Sequence, residues 1–91
     1  MNPEQEFQNG LNALNKKNFN DAKEIFENLL RKHPKHADTN HLMGITLQLL
    51  NKVDEALIYY KKTVEIKPDF AEAHKNLGNM FYRLGKIFEA E

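Results

Sequence analysis

Apolar residues fall along this chain in short stripes at helical spacing, separated by polar turns. Phe7, Leu11 and Leu14 stand at i, i+4 and i+7, with Gly10 and Ala13 beside them, and predict a first helix from Pro3 to about Lys16. Asn2 followed by Pro3 supplies its start, since Asn can accept an early backbone N–H and Pro brings a helical φ. A second stripe, Ala22, Ile25, Phe26, Leu29 and Leu30, predicts a helix from about Asn20 to Lys32, capped by Asn18 or Asn20. It must end ahead of Pro34, which pushes the residue before it out of the helical region. The plan then repeats. Leu42, Met43, Leu47 and Leu50 mark a helix from Ala37 to Leu50, and Ala56, Leu57, Tyr60, Thr63 and Val64 mark one from about Val53, closed by Pro68. Leu77, Phe81 and Leu84 mark a fifth, with Asp69 as the expected cap and Gly85 as the expected left-handed stop. Lys86 to Glu91 reads as the opening turn of a sixth helix. A helix so short is marginal on its own, so the chain is expected to be a piece of a longer array.

Three sets of markers recur at one interval. Gly10, Gly44 and Gly78 are 34 residues apart, as are Ala22, Ala56 and Ala90, and Pro34 and Pro68. Such a period means two short helices per unit, each unit stacked on the next: an all-α solenoid of antiparallel helix hairpins. The expected units are residues 3–36, 37–70 and a partial third, 71–91, in one domain. A glycine in a helix interior costs about 1 kcal/mol relative to alanine, and close helix packing is the expected compensation. Gly44 and Ala56 would let two helices approach, with Tyr60 and Leu47 on the flanks.

Composition narrows the function without naming it. Lys plus Arg and Asp plus Glu are both 13, so net charge is zero and nothing steers the chain toward nucleic acid or an anionic membrane. The absence of Cys excludes a disulfide framework, a thiolate nucleophile and Cys-ligated zinc. The start MNPEQEF has neither the basic nor the apolar segment of a signal peptide, and no apolar run approaches the roughly 20 residues of a membrane span. The expectation is a soluble, cytoplasmic protein. No phosphate-binding glycine loop, nucleophile elbow or HExxH motif is present, so neither catalysis nor a cofactor is expected.

With Gly10, Ala22, Phe26 and Pro34 matched by Gly44, Ala56, Tyr60 and Pro68, and with AEAHKNLGNMFYRLGK opening the third unit, the chain resembles the tetratricopeptide repeat family. Its departures lie in the first unit, where Glu6 and Ala13 replace usual aromatics and Asn9 a usual Leu. The first helix is therefore expected to act as a cap with a wet outer side. The resemblance implies a right-handed superhelix whose first, third and fifth helices line a concave groove for a peptide or partner protein. The groove positions are Glu4, Phe7, Leu11 and Leu14, then Asp38, His41, Ile45 and Gln48, then Glu72, Lys75, Asn79 and Tyr82. The family's carboxylate clamp for chaperone C-termini is not matched. Phe7, Leu11, Leu42, Glu72 and Asn76 occupy its places, so no binding to such tails is expected.

Several features carry two readings. Glu4, Asp38 and Glu72 share one repeat position and could form an acidic stripe for a basic peptide, or simply answer the dipoles of three helix starts. Phe7, Leu11 and Ile45 could hold an apolar anchor or pack between helices. His33, His36 and His41 are too weak a pattern to argue a metal site. Arg31, Lys32 and Lys35 read as a solvated turn. On the third unit, Leu77, Met80, Phe81, Leu84, Ile87 and Phe88 have few expected neighbours, which predicts self-association through that face. The leading function is a non-catalytic protein-interaction scaffold. The alternative is the regulatory or substrate-presenting arm of a larger enzyme, of the glycosyltransferase or sulfotransferase kind that carries similar arrays.

Overall fold

The computed structural model describes residues 2–89. Regular structure among them is entirely helical: α1 Pro3–Asn15, α2 Phe19–Lys32, α3 Ala37–Leu49, α4 Val53–Ile66 and α5 Ala71–Glu89. The expected helix positions hold to within a residue or so for the first four. Asn2 caps α1 through Oδ1, which accepts the Gln5 N–H at 2.7 Å. Asn18 stands at the N-cap of α2 but makes no side-chain cap bond, so that helix owes its start to the preceding turn.

α1 packs on α2 and α3 on α4 as hairpins, and the stack continues through α2 on α3 and α4 on α5. The result is an elongated slab, 48 × 28 × 19 Å. Its core is a chain of small and large residues: Ala22, Phe26 and Leu29 in the first hairpin, Met43, Leu47, Ala56 and Tyr60 in the second, and Met80 from α5. Ring over glycine is the recurring contact. A Cβ on Gly10 would come within 2.7 Å of Phe26 Cζ, and one on Gly44 within 2.7 Å of Tyr60 Cε1, closer than non-bonded carbon atoms approach. The expected close packing at these two glycines is thus present. Gly78 differs, with nothing within 4 Å of its would-be Cβ.

Each hairpin turn closes as a Schellman motif on a residue that is not glycine. Lys17 and Asn51 adopt φ of 62° and 61°. In the first turn Asn18 N–H bonds the Ala13 carbonyl at 2.8 Å and Lys17 N–H the Leu14 carbonyl at 2.9 Å; Lys52 to Leu47 and Asn51 to Gln48 repeat the pair at 2.8 and 3.0 Å. Gly85 occupies the corresponding place on α5, yet the helix runs straight through it to Glu89. The expected stop at Gly85 and the separate sixth helix from Lys86 are therefore corrected. Among the described residues no helix packs back after α5, and continued helix adds backbone hydrogen bonds that a turn would forgo. Ala90 and Glu91 lie outside the described residues. Asp69 is corrected too: the Phe70 carbonyl accepts the His74 N–H at 3.2 Å, so Phe70 is the cap and Asp69 sits one residue too early.

The links between hairpins are tied by one side chain each. Asn40, buried at the start of α3, donates from Nδ2 to the carbonyls of Pro34 (3.1 Å) and His36 (3.0 Å). One unit later His74 Nε2 lies 2.6 Å from the Pro68 carbonyl and donates to it. In the first unit the same place is held by Glu6, which pairs with Lys32 of α2 at 3.0 Å. Its side chain is largely covered, so this part of α1 is not the wet face expected of a cap.

Candidate peptide-binding groove

The first helix of each hairpin and α5 supply the expected groove positions, and the structure sorts those positions into three groups. Glu4, Phe7 and Asp38 come together in one cleft of about 430 Å³ between α1 and the start of α3. Pro3, Gln8, Leu29, His33, His36 and Thr39 complete its lining. Phe7 is half-buried, its ring 6.3 Å from Phe26 and edge-on to His36 at 5.6 Å, so it both packs and presents a face to the cleft. His36 is fixed by a 2.6 Å contact between Nδ1 and Thr39 Oγ1. The carboxylates of Glu4 and Asp38 remain exposed at the rim.

Ile45 and Gln48 form the second group. They line a cleft of about 410 Å³ with Leu49, Tyr60, Asn76 and Arg83. Gln48 is not a free ligand here, since its Oε1 accepts the Tyr60 hydroxyl at 2.8 Å. Burial of that phenol raises its pKa to about 12, which keeps it a donor at any ordinary pH. On α5, Glu72, Lys75, Asn79 and Tyr82 are all exposed and line neither cleft. Leu11 and Leu14 are half-buried on α1.

His41 stands apart, because it is only 4% exposed. Its Nε2 accepts from Asn76 Nδ2 at 2.9 Å, joining α3 to α5, and its ring lies 4.8 Å from Phe70 and 5.8 Å from Tyr60. Desolvation by burial lowers its pKa, while the carboxylates of Glu72 and Asp38 pull weakly the other way. His41 is therefore a neutral packing residue beneath the groove and offers little surface to a ligand. No group of three or more His, Cys, Asp or Glu that could hold a metal occurs among the described residues. No helix among them is long and apolar enough to cross a membrane.

Several lining residues were not legible beforehand. Leu29 belongs to α2, whose stripe reads as core, and it is only 3% exposed; the edge of its side chain borders the gap between α1 and α3. His33 and His36 lie on the link between hairpins, outside any helix face that periodicity could assign. Arg83 carries no repeat marker.

Residues 7–36 match the family described as tetratricopeptide repeat, and residues 46–85 the one described as TPR repeat. The chain belongs to the tetratricopeptide repeat family. Its fold is an all-α right-handed solenoid of antiparallel hairpins, shared with a tetratricopeptide repeat domain protein from Salinibacter ruber (TM-score 0.78, 20% identity, 87% of this chain and 86% of that one). A mutant of MamA superposes with TM-score 0.82 at 18% identity, over 97% of this chain and 64% of that one. In sequence, this tetratricopeptide repeat chain is 33% identical over 91 residues to "Protein STIP1 homolog" of Dictyostelium discoideum, an alignment covering 94% of the chain. It is 29% identical over 90 residues to a "Peroxisomal targeting signal receptor" of Saccharomyces cerevisiae, covering 99% of the chain. The chain spans about 15% of the length of each of these two relatives.

Proposed function

We propose that this chain is a non-catalytic protein-interaction module that binds a peptide segment of a partner along the face formed by α1, α3 and α5. The α1–α3 cleft is the principal anchoring place. The observation that carries this reading is the meeting of Glu4, Phe7 and Asp38, three groove positions from two helices, around one opening of about 430 Å³. That size suits one or two side chains of a bound peptide, and an apolar floor with a few polar groups at the rim is how such sites combine affinity with orientation. Phe7 and Leu29 provide the apolar floor, while the Glu4 and Asp38 carboxylates favour a segment that carries positive charge beside its anchor. Membership of the tetratricopeptide repeat family supports the reading, and so does similarity to a protein named as a receptor for a targeting signal.

A displayed library of random peptides, selected on the purified chain, supplies the probe. Selected peptides are expected to shift the backbone amide resonances of residues 4–8 and 36–39. Binding should weaken at least about tenfold, or about 1.4 kcal/mol, when Gln8→Trp closes the cleft mouth or when Glu4 and Asp38 are both changed to Lys. An acidic C-terminal tail peptide serves as the negative control, since none of the five clamp places carries a cation. Selected peptides whose binding ignores both changes and whose shifts map elsewhere overturn the proposal.

A further inference from the structure

Carboxylates and imidazoles line the α1–α3 cleft together. Glu4 and Asp38 bring the carboxylates from the first turns of α1 and α3, and His33 and His36 bring the imidazoles from the link between α2 and α3. These side chains are exposed. The two histidines also border an open hollow shared with Lys32, Pro34 and Lys35. Of the other charges nearby, Lys32 pairs with Glu6 at 3.0 Å, and Arg31 binds Asn28 and lines a different cleft beside Tyr59. Lys35, between the histidines on the link, is left as a fixed positive charge.

We infer that the cleft is gated by pH: it holds a positively charged peptide segment while His33 and His36 are neutral and releases it when they are protonated. The inference rests on the peptide-binding reading of the same cleft. With both imidazoles neutral, the carboxylates of Glu4 and Asp38 outweigh the ammonium of Lys35, and the surroundings of the opening are net negative. Protonation of both histidines reverses that sign. Imidazole is the side chain whose charge ordinarily changes between about pH 5 and 8, and like charges facing each other across a recognition surface oppose binding. Local structure permits the change. His36 Nδ1 lies 2.6 Å from Thr39 Oγ1, and a hydroxyl accepts as well as donates, so an imidazolium keeps this contact by donating to it. His41 is the contrast, since its Nε2 accepts from Asn76 Nδ2 and a proton there would displace the bond. The link thus carries histidines that can gain charge without undoing what holds them. The apolar floor of Phe7 and Leu29 is the same at every pH, so the gate acts through charge and not through the shape of the cleft. It involves none of the α5 residues expected to self-associate, of which Ile87 and Phe88 have side chains outside those described.

The probe is a peptide selected from the displayed library at about pH 7.5, free of histidine and with blocked termini, whose resonance shifts map to residues 4–8 and 36–39. Its affinity is measured by titration calorimetry at about pH 7.5 and about pH 5.5 at one salt concentration, on either side of the ordinary imidazole range. The ratio of the two affinities within each protein is the readout. The parent chain should bind at least about fivefold more weakly in acid, or about 1 kcal/mol. His33→Gln combined with His36→Gln removes both imidazoles from exposed positions, so helix content should be kept, and its ratio should stay within about twofold. That variant retains His41, so any effect of acid on the joint between α3 and α5 appears in both proteins and drops out of the comparison. A parent ratio near one, or a variant that loses as much as the parent, overturns the inference and leaves peptide binding at the cleft in place. Failure to select any peptide that maps to the cleft at neutral pH overturns both.

Discussion

The ring of Tyr60 packs against Gly44, near enough that a methyl group on Gly44 would stand 2.7 Å from Cε1 and 2.8 Å from Cδ1. Tyr60 is fully buried and its hydroxyl is held by Gln48, so the ring has no room to retreat. Gly44→Ala should therefore lower stability by about 1–3 kcal/mol, as overpacking of a rigid core does, and Gly44→Leu by more. Gly78→Ala is the internal contrast. Its new Cβ meets open space, and the higher helix propensity of alanine should raise stability by up to about 1 kcal/mol. Urea unfolding of the three variants at low micromolar concentration gives both signs in one experiment. A Gly44→Ala protein as stable as its parent removes the case for ring-over-glycine packing.

Acid should weaken the joint between α3 and α5. Burial holds His41 below its ordinary pKa of 6.5, and its Nε2 accepts from Asn76, a bond that needs the neutral ring. As pH falls through about 6.5, the unfolded chain takes up a proton that the folded chain refuses. Stability then declines until the lowered folded pKa is reached, by no more than about 1.4 kcal/mol per pH unit from this one residue. Above that window its contribution is complete. Unfolding free energies at about pH 7.5 and 5.5 should differ more for the parent than for His41→Gln. Equal losses would assign the acid sensitivity to other groups.

Asn40 bridges the two hairpins by giving both N–H donors of its amide to the carbonyls of Pro34 and His36. Asn40→Ala removes both side-chain bonds and leaves the Pro34 carbonyl without its amide donor, while the His36 carbonyl keeps the backbone N–H of residue 40 at 3.1 Å; a lost hydrogen bond costs about 0.5–1.5 kcal/mol. The expected loss is of that size. Asn40→Asp should do no better, because a carboxylate cannot donate to either carbonyl. A thermal melt that moves by less than a degree for both variants would mean that the link is held by something else.

Lys17 sits in the left-handed region at φ 62°, where an L side chain is disfavoured by roughly 1–2 kcal/mol. Lys17→Gly relieves that strain and gives back part of the gain through the greater freedom of the unfolded chain. A net increase of up to about 1 kcal/mol is expected, measured by chemical unfolding. A decrease would show that the Lys17 side chain contributes more than its backbone conformation costs.

The sequence reading and the structure agree where one residue has one job. Gly10 and Gly44 have to be small because Phe26 and Tyr60 arrive opposite them, and the interval between markers announces both. Pro34 and Pro68 end helices by chemistry that acts on their immediate neighbours. Disagreement begins where the outcome depends on what lies across space. Gly85 has the residue type of a helix stop, but the stops that form use Lys17 and Asn51, because the packing of α2 and α4 forces the turn there. His41 lies on the groove side by register, yet Phe70 and Asn76 close over it, and neither is readable from the spacing of α3 alone. Glu6 departs from the family's aromatic and finds Lys32, 26 residues away in sequence.

Contacts in this molecule run mainly between elements adjacent in the chain: α1 with α2, α2 with α3, α3 with α4, α4 with α5. Such a body behaves as a row of coupled segments, and its stability varies along the row, highest where a segment has neighbours on both sides. α3 contributes seven buried residues, among them Thr39, Asn40, His41 and Thr46, and α2 and α4 flank it. Hydrogen exchange should therefore be slowest in α3 and its partner face of α4, and fastest in α1 and the outer part of α5. The residues that hold the molecule together are thus those of the middle hairpin, while the rim of α1 assigned to recognition belongs to a segment that opens more readily.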